Sequence, residues 1–316
     1  MYLGIDFLIT PEKKLYIIEV NVGLPGGAQE YHLTHLVHYG KPSDIFIRID
    51  EASKRVYGKT FKDYLHSLPH IESLKPFKIW MDGKGPFPET FHPGLRLEDK
   101  WVQYQMVKSI APMPETMVLH SGDLTEAEAF LKKKRKLALK RRLGRGGRGF
   151  RIIDDIGSLT AIDTEGQAWL LQEYLESKAA GYTFSIRSVA FGGEFMCIYA
   201  NLSKRTYSNH GYLAFVSAGE PFGLSEREFG TELFNQKSWE AEIWFGKDEP
   251  SYLRHNLYEE EVARTTLYLP GPILETIKEL SVKIERFYEG LDFTALPKAC
   301  FEPLTFPLST QGRRNG

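Results

Sequence analysis

The start of the chain carries the feature that most constrains the fold, a pair of apolar segments joined by a short polar turn. The segments are Gly4–Ile9 and Leu15–Asn21, and the turn contains Pro11. Two apolar, β-branched runs on either side of such a turn predict an antiparallel β-hairpin. We therefore expect the rest of the chain to be organised around this hairpin.

The hairpin carries polar side chains among its apolar ones. Successive side chains of a strand point to opposite faces, so Glu19 and Asn21 project from one face, roughly 7 Å apart. A four-residue loop pairs Thr10 with Leu15 and places Asp6 opposite Glu19. Two facing carboxylates repel each other and are costly to bury unless one is protonated or a cation neutralises them. The pattern predicts either a solvated hairpin face or a site of hard oxygen ligands for Mg2+ or Mn2+.

Length and composition limit the class of protein. A chain of 316 residues can bury a core as one large domain or as two or three packed lobes. Its apolar content of 42% and charged content of 26% are those of an ordinary globular protein, and its net charge of −1 argues against an overall field for nucleic acid. No apolar run has the length of a membrane span, and no basic-then-apolar leader opens the sequence, so we expect a cytoplasmic protein that binds no membrane.

Patterns after the hairpin predict a helix and then a mixed segment. Residues 28–40 predict a short helix that ends at a glycine. Asp44–Ile49 and Phe77–Met81 are predicted strands, and Thr60–Leu68 is a predicted helix. These assignments make residues 41–96 a small α/β lobe.

Residues 132–151 concentrate positive charge around several glycines, and two interpretations compete. As a nuclear-localisation run with an RGG-like element, the stretch would bind acidic receptors or RNA. As a strand, turn and strand, it would be a loop whose backbone N–H groups and cations close over a triphosphate. Leu137 and Leu139 alternate with polar or small residues and predict a strand, and Phe150–Ile153 predicts a returning one. RGG segments normally lie in low-complexity surroundings, which favours the phosphate loop here.

Several motifs resemble those of the ATP-grasp superfamily. Gly4–Phe7 followed by Ile17–Gly27 resembles its metal-binding hairpin, and Leu137–Gly149 resembles its glycine-rich loop. Gly166–Leu175 resembles the hinge between the two nucleotide-binding subdomains. In that family the hairpin comes near the end of the domain, whereas here it comes first.

A repeated hexapeptide accompanies this change of order. Tyr288–Phe293 matches Tyr2–Phe7 in the form Tyr-x-Gly-Leu/Ile-Asp-Phe. One explanation is a circular permutation that leaves the joining strand in two copies, with residues 1–40 completing the site. The other is a fragment of a tandem array, in which the hairpin belongs to a preceding copy.

The resemblance implies an α+β, ATP-grasp fold in which two α+β subdomains clasp a nucleotide. The hairpin and helix at 1–40 would complete the C-terminal subdomain, and the small lobe occupies 41–96. The N-terminal nucleotide-binding subdomain would span 97–176. The C-terminal subdomain, with an insertion and a tail, would span 177–316.

The resemblance also implies roles for individual residues. The phosphates would be bound by Lys100, Lys140, Gly146 and Gly147. The adenine and ribose would meet Gln172, Glu173, Leu175 and Thr183. The transferring phosphoryl group would be stabilised or oriented by Arg187, Arg205 and Asn209. The metal ligands would be Asp6, Glu19 and Asn21.

The implied activity is that of an ATP- and Mg2+-dependent ligase, which activates a small carboxylate as an acyl phosphate for attack by an amine. Two departures leave details open. Thr183 stands where the family frequently has an acidic residue for the ribose, and Gly4 stands where some of these ligases have an arginine that holds the carboxylate. Two alternatives remain, a non-catalytic ATP-binding scaffold and an RNA-binding protein that uses residues 132–151. A homo-oligomer is also compatible with the sequence.

Overall fold

The computed structural model shows a mixed α+β protein, and contacts divide the chain into two compact units. It describes residues 1–22, 26–81, 85–88, 92–119, 124–144, 147, 149–162, 168–204, 211–220, 222–225, 229–235 and 259–301. Unit 1 comprises Met1–Leu68, Ile110–Met113 and Leu175–Gly290. Unit 2 comprises Pro69–Ser109, Pro114–Tyr174 and the chain from Leu291 onward.

Thirteen strands and eight α-helices lie within the described residues. The strands are β1 (Leu3–Ile9), β2 (Leu15–Val22), β3 (Thr116–Leu119), β4 (Leu137–Arg141), β5 (Arg151–Ile153), β6 (Trp169–Glu173), β7 (Lys178–Ala179), β8 (Tyr182–Phe191), β9 (Glu194–Ser203), β10 (Tyr212–Ala218), β11 (Gly223–Leu224), β12 (Thr231–Asn235) and β13 (Glu259–Leu269). The helices are α1 (Ala28–Tyr39), α2 (Ile45–Tyr57), α3 (Phe61–His66), α4 (Pro69–Met81), α5 (Lys100–Val107), α6 (Thr125–Lys134), α7 (Ile156–Thr160) and α8 (Gly271–Glu289). None of the helices in this described part is long and apolar enough to cross a membrane.

Unit 1 is built on a sheet with the strand order β11-β13-β10-β9-β8-β1-β2, to which β12 and β7 add at β13 and β8. Helices cover both faces. The hydroxyls of Ser188 on β8 and Ser281 on α8 lie 2.6 Å apart, so α8 lies on the Ser188 side. Val189 and Phe191 point the other way and pack in one apolar cluster with side chains of α2 and α3.

The predicted hairpin is confirmed, but its turn is one residue longer than expected. Ile9 pairs with Leu15, instead of Thr10 with Leu15. A register shift between Asp6 and Phe7 restores the predicted pair of Asp6 and Glu19. A bulge of this kind places one extra residue on one strand and so corrects the offset.

Two predicted strands are wrong. Asp44–Ile49 lies at the start of α2, where Ile45, Ile49 and Ala52 are buried at helical spacing. Phe77–Met81 ends α4, which continues past an internal proline at position 76. The described residues of 41–81 therefore form helices and turns, and the predicted strands of the small α/β lobe are absent from them. The predicted helices at 28–40 and 60–68 are confirmed as α1 and α3.

Unit 2 contains a four-stranded antiparallel sheet in the order β3-β6-β4-β5. One face packs against α6 and α7 through an apolar cluster that includes Leu137, Leu139 and Trp169. The predicted strand, turn and strand in the basic stretch is therefore confirmed as β4 and β5.

The second copy of the repeated hexapeptide does not form a strand, contrary to expectation. After α8 ends at Glu289, with Gly290 as its C-cap, Phe293–Ala295 forms a 3-10 turn. The Asp292 carboxylate accepts hydrogen bonds from the Thr294 backbone N–H at 2.9 Å and from its hydroxyl at 2.7 Å. Such bonds favour a turn over an extended strand.

Candidate functional site

A line of paired residues crosses the sheet of unit 1 from β2 to β10. Glu19 pairs with Asp6, Asp6 with Arg187, Arg187 with Tyr199, and Tyr199 with Phe215. Because directly paired residues project from the same face, these side chains form one row. The sequence predicted the first pair, and the fold adds Arg187 from a strand far along the chain.

The polar part of this face is accessible, while its apolar part is covered. On β8, Thr183, Ser185 and Arg187 are partly exposed. Val189 and Phe191 continue the same alternation and are completely buried. The change from hydroxyl and cationic residues to apolar ones along a single strand therefore produces an accessible polar surface beside a core.

A two-pronged ion pair joins Asp6 to Arg187. Arg187 Nε donates to Asp6 Oδ1 and Nη2 to Oδ2, each at 2.6 Å, while Asn21 Nδ2 donates to Oδ2 at 3.0 Å. Paired hydrogen bonds between ions are stronger than neutral ones and fix the relative orientation of the groups. Burial is the largest single influence on the Arg187 guanidinium and lowers its pKa. The charges of Asp6, Tyr199 and Glu30 and the hydrogen bonds to Asp6 together outweigh burial, so the pKa of Arg187 is raised.

The predicted metal ligands share one face, yet their present arrangement does not fit a metal ion. Both carboxylate oxygens of Asp6 accept hydrogen bonds from Arg187, and Asn21 turns its donor nitrogen toward Asp6. Across the described residues, no group of three His, Cys, Asp or Glu side chains is placed to hold a metal.

Glu30 is a buried acid near this row that the sequence analysis missed. Its carboxylate accepts a hydrogen bond from the Gly27 backbone N–H at 2.5 Å. Burial raises the pKa of Glu30, while backbone hydrogen bonds and the charge of Arg187 act in the opposite direction. The spacing of Gly27 and Glu30 is that of a helix capping box, and this signal could have identified the residue.

A hydrogen-bonded chain crosses the sheet of unit 2 on the face away from α6 and α7. Lys140 Nζ donates to Gln172 Oε1 at 2.8 Å, and Gln172 Nε2 donates to the Thr116 hydroxyl at 2.9 Å. Thr116 in turn donates to the carbonyl of Pro114 at 2.9 Å. Lys140 lies on β4, the strand that leads into the glycine-rich turn. Its bond to Gln172 fixes the side chain over the neighbouring strand β6.

Lys100 and Asp99 connect the start of α5 to the same turn. Lys100 Nζ donates to the Gly144 carbonyl at 2.6 Å, and its backbone N–H donates to the Arg142 carbonyl at 3.0 Å. The Asp99 carboxylate is completely buried and accepts hydrogen bonds from Arg142 Nε at 3.2 Å and from Arg142 Nη2 at 2.8 Å. Lys100 therefore contacts the glycine-rich segment, and Asp99 anchors that segment. The contact of Lys100 with a phosphate stays a prediction.

Other predicted site residues have partners of their own. The Glu173 backbone N–H donates to the Glu115 carbonyl at 2.8 Å, and the Thr183 hydroxyl donates to the Ser203 carbonyl at 3.2 Å. Gly147 has a φ of 59°, a left-handed conformation that suits glycine, and its carbonyl accepts from Phe150 N–H at 3.0 Å. Leu175 follows β6 by two residues. Gly146, Arg205 and Asn209 lie outside the described residues.

Gly149 closes the glycine-rich turn against the opposite face of the sheet. Its φ is 78°, and a Cβ atom there would lie 2.9 Å from Trp169 Cη2 and 3.1 Å from Arg141 Nε. The Arg141 guanidinium lies over the Trp169 ring, 5.6 Å from its centroid. Only glycine fits at this position, because any side chain would collide with the Trp169 ring. The turn therefore lies close against that ring.

We expect Gly149→Ala to lower the free energy of unfolding of unit 2 by about 1–3 kcal/mol, because the methyl group overpacks the ring. Urea unfolding and the fluorescence of Trp169 would both report the change. The control is Gly181→Ala, since Gly181 also has a positive φ of 82° but no atom lies within 4 Å of its Cβ position. Equal losses in the two variants would show that the tryptophan contact contributes nothing.

Some cations of the basic stretch form ion pairs within unit 2. Lys133 and Lys134 bond to Glu115 at 2.9 and 3.0 Å, and Lys134 also bonds to Glu173 at 3.0 Å. Arg142 is paired with Asp99. Cations that already have protein partners contribute less to a phosphate-attracting surface. The RNA-binding alternative stays a prediction.

Comparisons with known proteins identify no family for this chain. No family model matches it, and no curated protein matches it. One matching solved structure is described as a candidate gamma-glutamylcysteine synthetase from Methylobacillus flagellatus KT. The match has 9% identity and a TM-score of 0.40, and it covers 65% of this chain and 75% of the other. At this level the similarity establishes neither a shared fold nor a shared activity.

Proposed function

We propose that the protein is an ATP-dependent ligase of the ATP-grasp type that joins a carboxylate to an amine. The observation that carries the proposal is the glycine-rich turn between the antiparallel strands β4 and β5. Lys140 lies on the strand that enters this turn, and Lys100 bonds to the Gly144 carbonyl within it. Glycines that expose backbone N–H groups, flanked by fixed cations, are suited to bind a triphosphate.

In the proposed reaction, a carboxylate oxygen attacks the γ-phosphorus of ATP, giving an acyl phosphate and ADP. The amine then attacks the acyl carbon, and inorganic phosphate and a proton leave as the amide forms. Phosphoryl transfer depends mainly on alignment and on neutralising charge. Lys140 and Lys100 of unit 2 would neutralise the phosphates. Mg2+ is the metal that such chemistry generally uses, and the present contacts of Asp6 do not fit it.

We further propose that the N-terminal hairpin completes the sheet of unit 1 by circular permutation. β1 pairs with β8 of the same chain, with Asp6 opposite Arg187. The backbone nitrogen of Met1 lies 2.5 Å from a carboxylate oxygen of Glu285, in the last turns of α8. The end of α8 and the start of β1 are therefore neighbours in unit 1, as a permuted order requires. A fragment of a tandem array is the alternative.

Isotope exchange tests the reaction without knowledge of the amine. The full chain is incubated with Mg2+, ATP labelled at its βγ-bridging oxygen, and members of a panel of small carboxylates. Reversible acyl phosphate formation is expected to scramble that oxygen into the non-bridging β-positions for the correct carboxylate alone. Adding the amine should then release ADP and phosphate. Formation of AMP and pyrophosphate would overturn the proposal, and tight ATP binding without scrambling or phosphate release across the panel would favour the non-catalytic scaffold.

A further inference from the structure

One edge of the small sheet in unit 2 directs backbone hydrogen-bonding groups away from the sheet. β3 ends the strand order β3-β6-β4-β5, and β6 is the only described strand that pairs with it. The Glu173 backbone N–H donates to the Glu115 carbonyl, so hydrogen-bonded pairs alternate from there along the two strands. Glu115 and Met117 therefore direct their backbone groups toward β6, whereas Thr116 and Val118 direct theirs outward.

A cleft of about 300 Å³ lies beside this edge, between β3 and α6. The residues of α6 that line it follow helical spacing and form one stripe: Glu126, Ala129, Phe130 and Lys133. Met117 contributes from β3 and packs against the apolar cluster of unit 2. Phe130 is buried, whereas Glu126 and Lys133 are exposed. The cleft therefore has an apolar floor, with a carboxylate at one end and an ammonium group at the other.

We propose that this edge binds a second copy of the same chain, with the two β3 strands antiparallel about a twofold axis through Met117. In that register Thr116 of each copy lies opposite Val118 of the other, and each of these two pairs exchanges two backbone hydrogen bonds. The two Met117 side chains then face each other across the axis, on the side of α6. The four strands of each copy form one continuous sheet, and the β3 edge is covered.

The position of α6 beside β3 is compatible with the same axis. Lys133, near the end of α6, bonds to Glu115 at 2.9 Å, and a short connection joins the end of β3 to the start of α6, so the helix runs antiparallel to the strand. From Lys133, the midpoint between Ala129 and Phe130 is roughly 5 Å along the helix, and Met117 is roughly 7 Å from Glu115 along the strand. The axis through Met117 therefore passes close to that midpoint.

This axis brings opposite charges together, which favours a copy of this chain over another extended segment. Glu126 and Lys133 lie equally far from the helix midpoint, one on each side, so Glu126 of one copy lies opposite Lys133 of the other. A twofold interface contains this pair twice. Within one chain the two residues are roughly 10 Å apart along the helix, which is beyond the i, i+4 spacing of intrahelical ion pairs. The charges therefore complement those of a second copy.

Exchange of the two charges tests the interface in the full chain. Sedimentation equilibrium of the wild type over a range of concentrations measures the dissociation constant of the dimer. Glu126→Lys places ammonium groups opposite each other at both ends of the interface, so we expect this constant to rise at least about tenfold. Lys133→Glu places carboxylates there and should have a similar effect. The double variant restores opposite charges, and its dissociation constant should return to within about threefold of the wild type.

Lys132→Glu is the matched control, because Lys132 is a 69% exposed residue of α6 that does not line the cleft. It changes the charge by the same amount as Lys133→Glu and should leave the dissociation constant unchanged. Val118→Pro tests the backbone bonds separately, because it removes an outward N–H and no bond to β6, which an edge strand tolerates. We expect it to weaken the dimer, while circular dichroism checks that each variant is folded.

Three results would overturn the proposal. The first is a wild-type chain that sediments as a monomer at about 100 μM, above the micromolar limit of interfaces of standard size, which would leave the β3 edge to a different partner. The second is a dimer that neither Glu126→Lys nor Lys133→Glu weakens, which would place the contact on another surface. The third is a double variant that dimerises no better than the single ones. None of these measurements involves a nucleotide, so their outcome is independent of the proposed ligase activity.

Discussion

Asp99→Ala is expected to lower the free energy of unfolding of unit 2 by about 3–5 kcal/mol, the usual cost of removing one partner from a buried ion pair. The Asp99 carboxylate is completely buried, and the Arg142 side chain is only 12% exposed. The same carboxylate accepts the backbone N–H groups of Trp101 and Cys300, each at 2.8 Å. The substitution therefore leaves a buried guanidinium and two backbone donors without their acceptor.

Urea unfolding followed by circular dichroism and tryptophan fluorescence would measure this loss, with each transition fitted separately because the chain has two units. Asp155→Ala is the control. Asp155 caps α7 of the same unit, where its exposed carboxylate accepts the Ser158 N–H at 2.7 Å, so its loss should cost only about 1 kcal/mol. Similar losses in the two variants would mean that Asp99 acts only as a helix cap.

Local patterns were sufficient to predict much of the fold. A periodicity or a turn signal within one short segment was enough to predict the hairpin, the helix after it and the strands around the glycine-rich turn. The pairing of Asp6 with Glu19 followed from such a signal, although the assumed turn was one residue too short and a bulge compensated for it. The helix that begins at Ile45 was missed because its first residues are mostly apolar and resemble a strand over a short window.

The contacts that define the candidate site could not be predicted in this way. Arg187 and Asp6 are 181 residues apart, and only the order of strands in the sheet brings them together. The resemblance placed both residues at a nucleotide site and gave them separate partners, a phosphate and a metal. Their mutual ion pair follows from the register of β1 and β8, which is a property of tertiary structure. The same holds for Asp99, whose partners come from three separated segments.

Lys140→Met is expected to reduce kcat/KM for ATP in the proposed reaction by about 10²–10³-fold, the usual effect of removing one fixed donor to a developing negative charge. Methionine keeps most of the length of the side chain and removes its charge. Affinity for ATP by calorimetry is the first measurement, because it requires neither the carboxylate nor the amine of the proposed reaction, and we expect it to weaken by at least about tenfold.

Two comparisons separate a direct role of Lys140 in nucleotide binding from a structural one. Lys132→Met removes a lysine of the same basic stretch whose side chain is 69% exposed, and it should leave ATP affinity unchanged. Thr116→Val removes the hydroxyl that accepts the Gln172 amide at 2.9 Å but keeps the cation. If the charge of Lys140 binds phosphate, Thr116→Val retains more ATP affinity than Lys140→Met. If Lys140 serves only to hold Gln172 and Thr116 in place, the two variants weaken ATP binding equally, and the glycine-rich turn loses its assigned role as the phosphate site.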